Sequence, residues 1–173
     1  NQFDTPLVFL QNTTGYMVGK EYEQGGIIKH GSMMINAVSN SEVPHLSLIA
    51  GASYGAGHYG MAGRAFNPRF LFSWPSARSA VMGAKQLADV VTEVAAASAA
   101  SRGQAMDPAF VDGMRTAIET QIDKESLPAF MSGMLYDDGI IDPRDTRTAL
   151  GMALSAIHNG PVHGTDAFGV FRM

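Results

Sequence analysis

The stretch Leu46–Gly63, LSLIAGASYGAGHYGMAG, joins an apolar run to a series of glycines and other small residues. Leu46–Ala50 reads as a buried strand, since a short apolar run bounded by turn residues suits the interior of a parallel sheet. The glycines then turn the chain into a helix. Backbone N–H groups at a helix start lack intrahelical acceptors and carry partial positive charge. Small side chains let a ligand atom approach them closely. Such a turn makes an anion or oxyanion site without charged side chains. The plainer alternative is that the glycines only let a helix pack tightly on a strand, and composition does not choose between the two.

Upstream, Leu7–Leu10 reads as another buried strand, and the polar, Gly-containing Gln11–Gly19 as a loop at its C-terminal end. Ile27, Ile28, Gly31, Met34, Ile35 and Val38 recur at helical spacing, which predicts a helix from Ile27 to about Ser39. Downstream, Phe70–Trp74 is a third strand closed by Pro75, and Ala80–Gly83 is a short apolar segment. The Ala-rich run Ala84–Ser101 favours helix. A second helix is predicted from Pro108 to about Lys124 and a third over Leu127–Tyr136. Asp142-Pro143 is a helix start, Asp as N-cap and Pro at the first helical position, and Ala149, Leu150, Ala153, Leu154 and Ile157 share the face that follows. Gly160–Met173 has turn residues and no periodicity. Strand, helix, strand, helix, strand and then helices is the pattern of an α/β fold with parallel pairing.

A length of 173 residues fits one domain or part of one. Hydrophobic residues are 46%, enough for a sizeable core, while charged residues are only 16% and glycines number 19. Few charges point to a surface partly covered by partners. The net charge of −4 and the lack of a basic run argue against a nucleic-acid partner. No apolar stretch is long enough for a membrane-spanning helix. The absence of cysteine excludes disulfides and thiolate metal sites. The chain opens Asn1-Gln2-Phe3-Asp4-Thr5-Pro6, without Met and with a strand almost at once, and so reads as a piece of a longer protein.

Two short motifs overlap in the glycine stretch. Gly51-Ala52-Ser53-Tyr54-Gly55 matches G-x-S-x-G, the nucleophile elbow of α/β-hydrolases, with Asp142 or Asp145 and then His158 or His163 downstream in the order a triad needs. A serine hydrolase with Ser53 as nucleophile is therefore the rival reading. Against it, no strand is evident before Asp142. Gly55-Ala56-Gly57-His58-Tyr59-Gly60 matches the dinucleotide fingerprint G-x-G-x-x-G, but no acidic residue lies between Glu42 and Asp89 to hold a ribose. The histidines are scattered and read as surface or structural residues, and Asp137, Asp138, Asp142 and Asp145 read as turn and cap residues.

Longer stretches carry more. Phe9–Gly19 (FLQNTTGYMVG), Tyr22–Ile27, Ser53–Met61 (SYGAGHYGM), Gly63–Arg69, Trp74-Pro75, Ala80–Gly83, Leu135–Arg147 and Phe168–Met173 together resemble the carboxyltransferase (β) subunits of biotin-dependent acyl-CoA carboxylases of the 3-methylcrotonyl-CoA and geranyl-CoA type. The likeness runs through nearly the whole chain in order. Asn12–Tyr16 and His58-Tyr59 are closer to the geranyl-CoA branch. Ala84 stands where the family has Gly, and Ala62 where Cys is common.

The resemblance implies a crotonase-like ββα superhelix, with residues 1–173 forming most of the C-terminal carboxyltransferase domain, incomplete at its N-terminus. It implies transfer of CO2 from carboxybiotin to the γ-carbon of a β-methyl α,β-unsaturated acyl-CoA, in terpene or leucine catabolism. The biotin is carried on a partner α subunit or domain, and ATP and Mg serve only the partner biotin carboxylase. The β subunits form a homo-hexamer, a trimer of dimers, each active site lying between the N-domain of one subunit and the C-domain of its partner. By residue match, the backbone amides of Ala56 and Gly57 form the oxyanion hole for the biotin ureido oxygen. Thr14, Gly15, Tyr16, Tyr54 and Gly55 lie near biotin, and Ser53 is structural. Tyr59 shapes the substrate or biotin pocket, or else packs in the dimer interface. No side-chain nucleophile or metal is needed. The compartment is cytoplasmic if the source is bacterial and the mitochondrial matrix if it is eukaryotic. A further alternative is an assembly module with a degenerate site, which would complete a hexamer and transfer nothing.

Overall fold

A computed structural model describes residues 1–167. The stretch Phe168–Met173, part of the family resemblance, lies outside them. The structure is built around one ten-residue strand, β2 (His45–Tyr54). β1 (Leu7–Thr13) lies parallel on one side of it. On the other side β3 (Phe70–Ser73) pairs with Leu46–Ile49, and β4 (Arg78–Ala80) with Ala52–Tyr54, both parallel. The turn Trp74–Ala77 carries the chain between these two partners, anchored by Trp74 N–H donating to the Ile49 carbonyl (2.9 Å). Parallel neighbours need crossovers. The first contains α1 (Lys20–Gln24) and α2 (Ile27–Ser39). The second contains α3 (Gly55–Gly60) and a 3₁₀ turn at Arg64–Phe66. After β4 come α4 (Ala84–Ser101), α5 (Pro108–Glu125), α6 (Pro128–Gly133) and α7 (Thr146–Ile157).

His45–Ile49 are all buried, as the apolar run predicts for a central strand. Leu46 packs on Ala153 and Ile157 of α7, with Phe70, Phe72, Leu150 and Leu154 around them. Ile49, on the opposite face of the pleat, meets Leu71 and Ala77. Full burial of such side chains contributes about 1.5–3 kcal/mol each. Trp74 Nε1–H donates to Thr146 Oγ1 (2.9 Å), which ties α7 to the end of β3.

Several expectations change. β1 is not buried: it stands at the sheet edge, with Leu10 61% exposed, because β2 is its one neighbour among the described residues. β1 also runs on through Gln11, Asn12 and Thr13, which read as loop because they are polar. Their side chains make hydrogen bonds instead of packing in oil: Gln11 reaches Ser53 of β2 and His58 of α3, Thr13 Oγ1 accepts from Gly15 N–H, and Asn12 Oδ1 accepts from Ala52 N–H (3.2 Å) where the register slips. α6 is shorter than Leu127–Tyr136 because Leu135 takes φ +60° and the Tyr136 N–H returns to the Met131 carbonyl (2.9 Å), a left-handed helix stop. Asp142 caps as predicted, its Oδ1 accepting from Arg144 N–H (2.8 Å), but the turn it starts is 3₁₀ before α7 begins.

Candidate functional site at the glycine turn

Ligands of parallel sheets bind beyond the C-terminal ends of the strands. Here those ends are Thr13 and Tyr54, and α3 starts immediately after Tyr54. Gly55 makes the turn with φ +53°, and a Cβ on it would stand 2.9 Å from the Val81 carbonyl oxygen, so only glycine fits. The next amides, of Ala56 and Gly57, fall within the first turn of α3, where no intrahelical acceptor exists. Among the described residues no side chain caps this helix start. Ala56 is exposed and Gly57 is buried. Gly57 lies against the end of β1: a Cβ there would come 3.0 Å from Gly15 Cα and 3.1 Å from Thr13 Cγ2.

The fold thus brings together residues far apart in sequence. Gly15, with φ +119°, folds back over both Gly57 and the Tyr54 carbonyl. Thr13 Oγ1 steadies that loop by accepting from Gly15 N–H (3.2 Å). Thr14 is exposed beside it. Tyr16 and Tyr59 line a cleft of about 740 Å³ between α2 and α3, walled by Met17, Val18, Ile27, Ile35 and Phe66. Tyr59 is 45% exposed and packs edge-on against Phe66. The Tyr16 hydroxyl does not face the cleft as a free donor. It is buried at the tip of the ring against Gly60, without a hydrogen-bond partner among the described residues, and burial pushes its pKa above the usual 10.

The nucleophile reading of Ser53 fails on geometry. An elbow serine sits on the turn with its Oγ exposed. Ser53 lies inside β2, fully buried, and the turn position belongs to Gly55. Ser53 Oγ donates to Gln11 Oε1 (2.6 Å) and lies 2.9 Å from His58 Nδ1. The downstream histidines are at the other end of the sheet. His158 follows Ile157, which packs on Leu46, about 23 Å down the strand from Ser53 at ~3.3 Å per residue. His163 precedes Gly164, whose N–H donates to Asp4 Oδ1 ahead of β1.

His58, which from the sequence reads only as a surface or structural histidine, sits between Ser53 and Gln11. Burial pushes its pKa below the ordinary 6.5, and does the same to His45 at the start of β2. The unfolded chain therefore binds protons that the folded one refuses as pH falls through 6.5. Stability is fully present above that pH and declines below it, until the folded-state pKa is reached. The thermal midpoint of the subunit is expected to hold level from pH 8 to about 6.5 and to fall towards pH 5, less steeply in His58→Asn. An equal slope in that variant would remove His58 from the account.

Residues 1–170 match the carboxyl transferase domain family. The chain is 71% identical over its whole length to the probable biotin-dependent acyl-coenzyme A carboxylase beta2 subunit of Mycobacterium tuberculosis, covering 33% of that protein. It is 46% identical, over 97% of its length, to the 3-methylcrotonyl-coenzyme A carboxylase beta1 subunit of the same organism, covering 32% of it. Among solved structures it superposes on the P. aeruginosa geranyl-CoA carboxylase beta subunit with a TM-score of 0.80 and 44% identity, over 99% of this chain and 32% of that one. The chain therefore spans about a third of the length of the relatives it matches. Its parallel sheet with crossover helices is the crotonase-like fold of these carboxyltransferases. Matched over residues 1–170 and similar in fold to a solved relative over 99% of its length, the chain belongs to the carboxyl transferase domain family.

Proposed function

We propose that these residues are the C-terminal, biotin-facing domain of the carboxyltransferase β subunit of a biotin-dependent acyl-CoA carboxylase. The observation that carries this reading is the uncapped start of α3, with the Ala56 and Gly57 amides beside Gly15 at the strand ends. That donor set suits the ureido oxygen of biotin. It is neutral, it is backed by glycine so that a ring can approach, and it needs no metal. When bound, biotin supplies the carboxyl group and, once this has left, a basic ring nitrogen near the γ-proton of the acyl-CoA. The chain's own part is to hold the Ala56 and Gly57 N–H groups towards the developing oxyanion, each donor contributing about 3 kcal/mol. Gly55, Tyr54 and Thr14–Tyr16 shape the walls around them. The acyl-CoA carbonyl is served by the N-domain of a partner subunit in a hexamer, and the biotin arrives on an α subunit, where ATP and Mg are used.

The substrate is a β-methyl α,β-unsaturated acyl-CoA, geranyl-CoA ahead of 3-methylcrotonyl-CoA. The apolar cleft beside α3 supports that order, since Met17, Val18, Ile27, Ile35 and Phe66 offer a long chain somewhere to go. The geranyl group has five more carbons, and burial is worth about 0.8 kcal/mol per CH₂, so up to ~4 kcal/mol separates the two if all are covered. The test is a comparison of kcat/KM for the two substrates on the full-length subunit with its biotinylated partner and ATP. Geranyl-CoA is expected to lead, and Tyr59→Ala to change the ratio by roughly 3-fold or more, the worth of lost aromatic contact. A preference for 3-methylcrotonyl-CoA would reverse the order, and an unmoved ratio in Tyr59→Ala would take Tyr59 out of the pocket.

A further inference from the structure

α3 has six residues, of which Gly55, Gly57 and Gly60 are glycines, so it cannot hold its own shape. Yet the amides at its start must keep one position to serve a transition state. What holds it is a polar cluster beneath it. Gln11, fully buried in β1, donates from Nε2 to the Met61 carbonyl (2.7 Å) just past the helix. That fixes the amide's orientation, so Gln11 Oε1 faces the other way as an acceptor. It accepts from Ser53 Oγ (2.6 Å) on β2 and from His58 Nδ1 (3.0 Å) on α3. On the far side of the ring, His58 Nε2 accepts from Arg64 N–H (3.3 Å). The two bonds define one tautomer: a proton on Nδ1 and a lone pair on Nε2. Gly63 lies hard against the same ring, leaving no room for a side chain. Ser47 Oγ adds a bond to the Ala62 carbonyl (2.7 Å).

We infer that His58, clamped between Gln11, Ser53 and the Arg64 amide, is a positioning residue for carboxyl transfer. It fixes α3 on the ends of β1 and β2, and so fixes the Ala56 and Gly57 amides. This rests on the biotin reading of those amides. The groups that face His58 are Gln11 from β1, Ser53 from β2, the Arg64 backbone from the 3₁₀ turn, and the Tyr59 ring from α3 itself (6.5 Å between centroids). None is a carboxylate. Its lowered pKa agrees with a neutral ring in this setting.

The experiment measures transfer from the carboxylated acyl-CoA to free biotin by the full-length subunit, in four forms: wild type, His58→Ala, His58→Asn and His58→Gln. Asn places an N–H near the Nδ1 position and keeps the bond to Gln11, whereas Gln reaches towards Arg64 and loses it. His58→Ala is expected to lower kcat by roughly 10- to 100-fold, the cost of a misplaced catalytic geometry. The KM for free biotin should change by less than about 3-fold, since the lost precision acts on the transition state. His58→Asn should restore kcat to within about 3-fold of wild type, and His58→Gln should not. If His58→Ala does not assemble, the Asn and Gln variants decide by the same ranking. Wild-type kcat in His58→Ala, a loss confined to KM, or His58→Asn no better than His58→Gln would each overturn the proposal. A Gly57→Val control separates the two layers. If that variant transfers normally, the biotin reading fails. If it is inactive while every His58 variant is normal, only the positioning role fails.

Discussion

Replacing Gly57 with Val is expected to abolish carboxyl transfer while the partner's ATP-dependent carboxylation of biotin continues. Gly57 is buried, and even a methyl group would stand 3.0 Å from Gly15 Cα and 3.1 Å from Thr13 Cγ2. Thr13 ends β1 and is held by the ladder with β2, and Gly15 lies two residues beyond it, its N–H bonded to Thr13 Oγ1. Gly15 Cα is backbone and the β-branched Thr13 side chain is stiff, so α3 must move away. Its amides then leave the position from which they would meet an oxyanion. Loss of one such donor costs about 10²–10³ in kcat, and here two are displaced together. The measurement is steady-state carboxylation by the assembled enzyme beside the biotin carboxylase half-reaction alone. Assembly is checked by sizing, so that a missing partner is not mistaken for a missing site. Normal transfer would sink the assignment of these amides.

The second large effect concerns Gly60 and Tyr16. A Cβ on Gly60 would stand 2.5 Å from the Tyr16 hydroxyl oxygen and 3.5 Å from Cζ. Retreat of the ring towards α2 is limited by Gly31, where a Cβ would stand 3.3 Å from Cζ. Gly60→Ala should therefore lower the thermal midpoint, overpacking of about 1–3 kcal/mol outweighing the gain in helix propensity of about 1 kcal/mol. Tyr16→Phe removes a buried hydroxyl that has no partner among the described residues, and should be neutral or slightly stabilising. Combined, the two changes should relieve each other. With the hydroxyl gone, the new methyl meets Cζ at an ordinary contact distance and the propensity gain remains. Melting of the four forms gives the coupling directly, with an expected size of about 1–3 kcal/mol. Additive effects would mean that the hydroxyl does not set the spacing of α2 and α3.

Much of this arrangement could be read from the chain because its signals are local. α4 begins and ends where the Ala-rich run does, and β2 lies where the apolar run leads into glycines. What escaped was polar and distant. Gln11 looked like the start of a loop, since a strand recognised by apolarity stops at Leu10. Its partners Ser53 and His58 lie 42 and 47 residues away, and nothing in their own neighbourhoods announces them. β4 was missed for the same reason, since Arg78 and Ser79 carry no apolar pattern and are a strand only because β2 extends beyond β3. The glycine turn was legible as a site, but its geometry was not. A sequence says that small residues are present, whereas the close contact of Gly57 with Gly15 exists only once β1 and β2 are side by side.

That dependence gives the six-residue α3 a particular place in the order of folding. It has no stable existence as a local helix, and the cluster that holds it draws on β1 and β2 together. The pairing of those strands closes a loop through the whole α1–α2 crossover, a slow, non-local event. The geometry of the glycine turn therefore exists only once β1 and β2 have paired. A subunit captured by a protease or chaperone before that pairing would lack the turn, whatever local helices it had formed.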